Sequence, residues 1–272
     1  MRVVGPPSRR FDPAGVRNPS STGAMDWSGF NSSFDWLVRT NWRDVNAHVS
    51  YPLPRRLLRL WLAFVQQRRN AILDFEGKLR TFWQLRLPPN PNIVQFGAEA
   101  GWEAALVQAL YGNRGRALLI DSDPMAYQRF LTAPQHVRVR APKGSGRRWI
   151  DVFRDPARFE YSREDFFRME PSETFDVGLD WGLIEHFDDQ GKQSLIALFR
   201  RFLKTEGIQV SSCPRDRISV RLFYAAFSEE LNFGYRELMK LHELAAHIRR
   251  AGCHITSQHR LAAHNVVAYR FA

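Results

Sequence analysis

The sequence contains few cysteines and no long apolar run. Its two cysteines, Cys213 and Cys253, lie far apart without the close spacing of zinc ligands, so we expect neither a disulfide framework nor a bound metal. A reducing compartment fits this composition. The longest apolar run, Leu60–Val65, is far shorter than the roughly 20 residues that cross a bilayer. Because the N-terminus also lacks an apolar signal segment, the sequence predicts a soluble, cytoplasmic protein.

Acidic residues are outnumbered by basic ones, and the formal net charge is +11. An excess of this kind suits nucleic acid or an anionic membrane, since clustered cations release counterions from polyanions. Lysine is rare, however, and nearly all of the positive charge is arginine. A GC-rich genome produces such a bias without selection for a partner. We therefore favour the interpretation that the basic composition is background.

The N-terminal third divides into two predicted segments. Residues 1–24 combine proline, glycine, serine and arginine without hydrophobic periodicity, which predicts a disordered leader. Its composition also resembles a transit peptide, and Met25 is an alternative start. Residues 25–90 alternate aromatic and basic positions, and an apolar block between arginine pairs follows Pro54. These features predict an N-terminal helical cap, with a helix on a membrane surface as the alternative.

From residue 91 to 272, short β-rich runs alternate with helical stretches, which predicts a mainly parallel sheet covered on both faces. The runs are NIVQF, RALLID, FEYSRED, FDVGLD, GIQVSS, CHITSQ and NVVAYRF. Only HRLAAH separates the last two, which is too short for a helical crossover and predicts an antiparallel hairpin.

A basic β-hairpin insertion is predicted near 133–158, where valine and arginine alternate before a Lys-Gly-Ser-Gly turn. The hairpin would either steer an anionic substrate or RNA, or protect a solvated sheet edge with charge.

Several residues that suit a ligand follow the predicted strands. Ligands of open α/β sheets bind beyond the carboxyl ends of the strands. Gly97 and Gly101 give a permissive backbone there, at the start of a helix whose N–H groups attract a carboxylate. Asp121 follows the second run and suits hydrogen bonds from both hydroxyls of a ribose. Asp165 and Asp180 come after the third run and at the end of the fourth.

Four stretches in this region, VQFGAEAG, LLIDSDPMA, REDFFRMEPSETFDVGLDWGLIEHFDD and FGYRELMKLHELAAHIRRAGC, resemble successive motifs of class I S-adenosylmethionine-dependent methyltransferases. The resemblance implies a Rossmann-like, seven-stranded, mostly parallel α/β sheet whose last strand inserts antiparallel. It also implies S-adenosyl-L-methionine as the cofactor and methyl transfer to an O or N nucleophile. The cofactor-binding residues it implies are Gln95, Gly97, Ala98, Glu99, Gly101, Asp121, Ser122, Asp165, Phe166, Asp180 and Trp181.

The resemblance also implies roles for these residues. Gly97, Ala98 and Gly101 would line the methionine end of the cofactor, and Asp121 would hold the ribose. Asp165 and Phe166 would flank the adenine. Asp180 and Trp181 would lie near the sulfonium.

Two positions depart from the family pattern. Gln95 stands where an acidic residue is usual, which removes a charge partner for the cofactor's ammonium group. Glu99 stands where a glycine is usual, and its carboxylate would crowd the loop and repel the cofactor's carboxylate. The steric objection to a side chain applies mainly when φ is positive, and with a negative φ the Glu99 side chain would point away from the pocket. The alternative to a working enzyme is therefore a degenerate, methyltransferase-like scaffold or partner protein.

The catalytic residue and the acceptor are less sharply defined. His186 follows the fourth run and is the candidate base for an acceptor that must lose a proton; the alternative is that it packs the following helix. Aromatic residues of the cap and of the segment 215–235 predict a small, apolar or aromatic acceptor. RNA is the alternative, and it would require the hairpin and cap arginines to form one basic stripe.

Overall fold

The computed structural model describes residues 40–47, 49–155, 157–231 and 234–272. The predicted leader, residues 1–24, and the first part of the predicted cap lie outside these ranges. The predicted division of the chain at residues 24 and 90 into leader, cap and sheet domain stays a prediction. Within the described ranges, each helix is too short or too polar to cross a bilayer.

Helices and strands alternate along most of the chain. The helices are α1 (Leu53–Phe64), α2 (Ala71–Trp83), α3 (Trp102–Tyr111), α4 (Pro124–Thr132), α5 (Asp189–Phe202), α6 (Ile218–Ala226), α7 (Ser228–Leu231) and α8 (Leu241–Arg250). A π-helical segment (Val65–Asn70) joins α1 to α2, and a 3-10 turn (Ile184–His186) precedes α5. The strands are β1 (Ile93–Phe96), β2 (Ala117–Ile120), β3 (His136–Arg140), β4 (Trp149–Phe153), β5 (Phe159–Ser162), β6 (Phe175–Trp181), β7 (Leu203–Pro214), β8 (Cys253–Arg260) and β9 (His264–Phe271).

Seven of the strands form one sheet in the order β5-β2-β1-β6-β7-β9-β8. Strand β1 pairs in parallel with β2 and β6, so that Phe96 lies beside Ile120 and Asp180. Strand β9 is antiparallel to both of its neighbours, β7 and β8. The predicted seven-stranded sheet with an antiparallel last strand is therefore confirmed. Its parallel part brings the carboxyl ends of β2, β1 and β6 to one edge.

Apolar side chains cover both faces of the sheet. Successive residues of a strand point to opposite faces. Ile93 accordingly packs in a cluster with residues of α2 and α3, whereas Val94 packs in a second cluster with residues of α5 and α8. This two-sided burial explains why the central strands are almost entirely apolar.

Helix α1 does not bury the face that its sequence suggests. Arg59, Leu62 and Ala63 are its buried residues, and α6 is its main neighbour. Leu57 and Trp61 are about half exposed, at 55% and 53%. Of the apolar block, Leu62 and Ala63 are buried, and Arg59 shares the buried face with them. Hydrogen bonds and an ion pair to Arg59 offset the cost of removing its charge from water.

The β3–β4 hairpin forms a separate two-stranded antiparallel sheet. Ile150 and Val152 of β4 are buried in the cluster that contains α3. On the solvated face, Arg138 forms an ion pair with Asp151, with 2.8 Å between Nε and Oδ1. Part of the positive charge of the hairpin is therefore compensated within the hairpin itself.

Candidate functional site

A cavity of about 590 Å³ lies at the carboxyl ends of β1, β2 and β6. Its volume is within the range of small-molecule sites. The predicted site residues in its wall are Gly97, Glu99, Asp121, Ser122, Asp165, Phe166, Trp181 and His186. The other predicted residues are buried outside the lining of the cavity, and they are Gln95, Ala98, Gly101 and Asp180. The tertiary structure thus divides the predicted set into residues that line the cavity and residues that are buried behind its wall.

The loop after β1 turns through three left-handed residues. The φ angles are 59° at Gly97, 47° at Glu99 and 74° at Gly101. Glycine adopts such angles without strain, whereas another residue costs about 1–3 kcal/mol. A side chain at Gly101 would also place its Cβ 2.5 Å from Leu119 Cδ1. Gly101 therefore permits close packing of the loop on the sheet from the buried side.

Glu99 keeps its left-handed backbone through contacts on each of its polar groups. Its N–H donates to Asp121 Oδ2 at 3.1 Å, and its carbonyl accepts from the Tyr161 hydroxyl at 3.1 Å. Its carboxylate lies 2.9 Å from Arg129 Nη1. A negative φ was the condition under which the side chain would leave the pocket, and that condition is not met. Arg129 instead neutralises the carboxylate, which stays half exposed in the wall.

Replacing Glu99 with glycine is expected to change the free energy of unfolding by less than about 1 kcal/mol. Relief of the left-handed backbone contributes about 1 kcal/mol of stability. Loss of the half-exposed ion pair with Arg129 removes about the same amount. Urea unfolding of Glu99→Gly and wild type measures the difference, with Glu99→Gln as a control that removes only the charge. A gain above about 2 kcal/mol would contradict this balance.

Two backbone N–H groups, one from the loop after β1 and one from the loop after β2, hold the Asp121 carboxylate in place. Its Oδ2 accepts the N–H of Glu99 at 3.1 Å, and its Oδ1 accepts the N–H of Asp123 at 3.0 Å. Burial raises the pKa of Asp121, while these two N–H groups lower it. Each carboxylate oxygen has a second lone pair, so the group is able to accept two further hydrogen bonds. Two adjacent hydroxyls of a ligand would satisfy both oxygens.

An ion pair that no sequence motif indicated lines the same cavity. Lys78 of α2 and Glu103 of α3 lie 2.5 Å apart between Nζ and Oε1, and both are largely buried. The Lys78 ammonium also lies 4.1 Å from the centre of the Trp181 ring. Burial acts to raise the pKa of Glu103, but Lys78 and a hydrogen bond from Gln95 outweigh it, so the pKa is lowered. The carboxylate is therefore ionised near neutral pH.

Gln95 connects the end of β1 to the first turn of α3. Its Oε1 accepts the N–H of Ala104 at 3.0 Å, and its Nε2 donates to Glu103 Oε2 at 2.9 Å. The side chain is buried and does not line the cavity. Gln95 thus orients the Glu103 carboxylate from behind the cavity wall.

Asp180 belongs to a buried network between β6 and β7. Its carboxyl group accepts hydrogen bonds from Gln209 Nε2 at 3.0 Å and from the Ser211 hydroxyl. Burial raises the pKa of Asp180 to about 7. The neighbouring Trp181 lines the cavity in its place.

Glu185 and His186 bring two buried titratable groups to the wall. The Nδ1 of His186 lies 2.9 Å from the carbonyl oxygen of Tyr235. A carbonyl only accepts, so Nδ1 carries the proton and Nε2 is the acceptor in the neutral ring. Burial, and then the charge of Arg236, lowers the pKa of His186 well below its usual value. Burial raises the pKa of Glu185 to about 8. Both groups are therefore neutral near pH 7, with 3.7 Å between Nε2 and Glu185 Oε1.

The free energy of unfolding is expected to fall as pH rises from 7 to 8, partly because of Glu185. Its pKa is about 8 in the folded state against 4.5 ordinarily, so the unfolded state releases its proton first and gains stability as pH rises. The slope is on the order of 1 kcal/mol per pH unit. Urea unfolding at pH 7 and 8 should show a flatter dependence in Glu185→Gln. The exposed Glu206→Gln is the matched control, and equal slopes in all three proteins would contradict the raised pKa.

Apolar and aromatic side chains complete the wall. The segment 215–235, predicted to shape an acceptor pocket, contributes Val220, Phe223 and Tyr224 of α6. Phe166 and Phe167 line another part of the cavity. Within the described ranges, His, Cys, Asp and Glu side chains form no cluster suited to a metal ion.

The fold is similar to those of solved methyltransferases. Human N-acetylserotonin methyltransferase, in complex with S-adenosylmethionine, matches with a TM-score of 0.54 and 14% identity over 90% of this chain and 66% of that one. Mitomycin 7-O-methyltransferase MmcR matches with a TM-score of 0.53 and 16% identity over 90% of this chain and 68% of that one. An O-methyltransferase family 2 protein from Planctomyces limnophilus, in complex with apigenin, matches with a TM-score of 0.54 and 13% identity over 83% of this chain and 63% of that one.

The chain spans about two thirds of the length of these three proteins. No protein-family model and no curated protein matches its sequence. At these identities the likeness establishes the fold.

Proposed function

We propose that this chain, which has the class I S-adenosylmethionine-dependent methyltransferase fold, binds S-adenosylmethionine and methylates an O or N nucleophile of a small apolar or aromatic molecule. The observation that carries the proposal is the placement of Asp121 and Gly97 in the wall of one cavity at the carboxyl ends of the parallel strands. Similar solved structures with S-adenosylmethionine or apigenin support both parts of it.

The cavity residues fit this cofactor. Asp121 has free lone pairs for the two ribose hydroxyls. Phe166 presents a ring that suits packing against adenine, next to Asp165. The carboxylate of Glu99 does not obstruct this assignment, because Arg129 neutralises it.

The reaction requires alignment more than dedicated catalytic groups. S-adenosylmethionine would supply a methyl group on a sulfonium: an acceptor O or N atom would attack the methyl carbon in line, with neutral S-adenosylhomocysteine as the leaving group. His186 would accept the proton of the acceptor at Nε2, because its Nδ1 proton is directed to the Tyr235 carbonyl. Phe223 and Trp181 would exclude water from the reacting groups.

The acceptor class follows from the α6 side of the cavity. Val220, Phe223 and Tyr224 offer apolar and aromatic surface, which favours a small aromatic molecule. Among the hairpin arginines proposed for RNA, Arg138 is already paired with Asp151. The small molecule is therefore the favoured acceptor.

Calorimetric titration with S-adenosylmethionine and S-adenosylhomocysteine tests cofactor binding. Wild type is expected to bind both, and Asp121→Ala is expected to bind them roughly 10- to 100-fold more weakly, because hydrogen bonds to a charged group are lost. Asp151→Ala, on the solvated hairpin, is the control and should bind as wild type does. Folded wild type that binds neither ligand at roughly millimolar concentration would contradict the proposal and favour a methyltransferase-like scaffold.

A further inference from the structure

We propose that Lys78 and Glu103 form the subsite for the amino-acid portion of the cofactor, with Glu103 binding the α-ammonium and Lys78 the α-carboxylate. This inference rests on the proposed function. It assigns the subsite to an ion pair of this chain, instead of to the position at the end of β1 where a neutral glutamine stands.

The pair has the charges and the location that a zwitterion requires. Lys78 and Glu103 line the same cavity as Gly97 and Asp121, and their side chains are 14% and 15% exposed. An α-amino acid carries one positive and one negative group, so a cation and an anion side by side complement it. Partly buried charges interact with such groups more strongly than exposed ones, because water screens them less.

Neither side chain is saturated by its contacts among the described residues. Glu103 Oε1 accepts from Lys78 and its Oε2 accepts from Gln95, which leaves one further lone pair on each oxygen. Lys78 donates one of its three N–H groups to Glu103 and packs over the Trp181 ring. Each residue therefore retains the capacity to bind a charged group of a ligand.

Gln95 explains why the negative charge lies on Glu103. Gln95 Nε2 lies 2.9 Å from Glu103 Oε2, so a carboxylate at position 95 would face a second carboxylate at hydrogen-bonding distance. Two such groups cannot both ionise readily. The amide instead donates to Glu103 and accepts from Ala104, which holds the Glu103 carboxylate in place. A neutral residue at position 95 is thus what allows the neighbouring Glu103 to carry the negative charge.

Lys78 links the helical segment before the sheet to the cavity. It lies on α2, before the predicted sheet region 91–272, and reaches across to the first turn of α3. The α2 helix therefore supplies half of the subsite. A purely structural role, in which the pair only joins α2 to α3, makes a different prediction for ligand binding.

Three ligands separate these roles by calorimetry. S-adenosylhomocysteine carries both charged groups of the amino acid, decarboxylated S-adenosylhomocysteine carries only the ammonium, and methylthioadenosine carries neither. Glu103→Gln is expected to bind the first two roughly 10- to 100-fold more weakly and methylthioadenosine unchanged. Lys78→Met is expected to weaken only S-adenosylhomocysteine. Lys204→Met, which breaks the surface ion pair with Asp176, is the matched control and should change none of the three affinities.

The outcomes distinguish this inference from the proposed function. Wild type that binds none of the three ligands would overturn the proposed function and this inference with it. Wild type that binds them, with variants that lose all three equally or lose none, would overturn the inference alone. If thermal unfolding shows that Glu103→Gln does not fold, Lys78→Met alone provides the test. A loss confined to S-adenosylhomocysteine would support the inference, and an equal change for all three ligands would overturn it.

Discussion

Replacing Glu230 with alanine is expected to lower the free energy of unfolding by about 3–5 kcal/mol, because the substitution leaves a buried guanidinium without its counter-ion. The side chain of Arg59 is 0% exposed and that of Glu230 is 2% exposed. Two contacts join them, at 2.5 Å from Nη2 to Oε1 and 3.3 Å from Nη1 to Oε2. A planar guanidinium and a carboxylate paired in this way are strongly coupled.

Further contacts of Arg59 join α1 to the residues around it. Its Nε donates to Asn46 Oδ1 at 3.1 Å, and its Nη2 donates to the Val45 carbonyl at 3.2 Å. The guanidinium carbon also lies 4.2 Å from the centre of the Phe227 ring. Loss of the pair would therefore disturb how the turn before α1, α1 itself and α7 pack together.

Urea unfolding of Glu230→Ala and wild type measures this cost. The double variant Arg59→Met with Glu230→Met should recover most of the stability, since apolar residues of similar volume often replace a buried ion pair without loss. Arg56→Met, at an exposed position of the same helix, is the control. A loss below about 1 kcal/mol in Glu230→Ala would mean that the pair is solvated in solution.

Replacing His186 with asparagine is expected to lower kcat by about 100- to 1,000-fold for an acceptor that must lose a proton in the reaction. His186 lines the cavity, and the Tyr235 carbonyl binds its Nδ1 proton. The ring is neutral near pH 7 because burial lowers its pKa. The rate of the wild type should therefore not decline as pH falls from 7 to 6.5, as it would for a histidine with an ordinary pKa.

Two acceptors of similar shape distinguish a catalytic base from a residue that only packs. Phenol keeps its proton at pH 7, whereas pentafluorophenol is largely ionised. We expect His186→Asn to slow methylation of phenol and to leave methylation of pentafluorophenol near the wild-type rate. His254→Asn, at an exposed position of β8, is the control. Equal losses with both acceptors would show that His186 only positions other groups.

The sequence predicted the site residues that directly follow a strand, because the end of the strand fixes their position. Asp121 and Gly97 directly follow apolar runs, and residues directly after parallel strands must meet at one edge of the sheet. The order of the runs and the short HRLAAH connection likewise determined the antiparallel last strand. These inferences need only local periodicity and the rules for connecting strands.

Tertiary contacts decided the remaining features. The backbone groups of Glu99, whose φ is positive, bind Asp121 and Tyr161, and its carboxylate binds Arg129, 30 residues away on α4. Lys78 and Glu103 meet across 25 residues, and Arg59 meets Glu230 across 171. The periodicity of a sequence does not indicate which charged side chains form ion pairs, because the distance between two such side chains depends on how whole helices pack. The sequence by itself therefore determined the sheet and the residues at its edge, and only the tertiary structure decided how their charges are compensated.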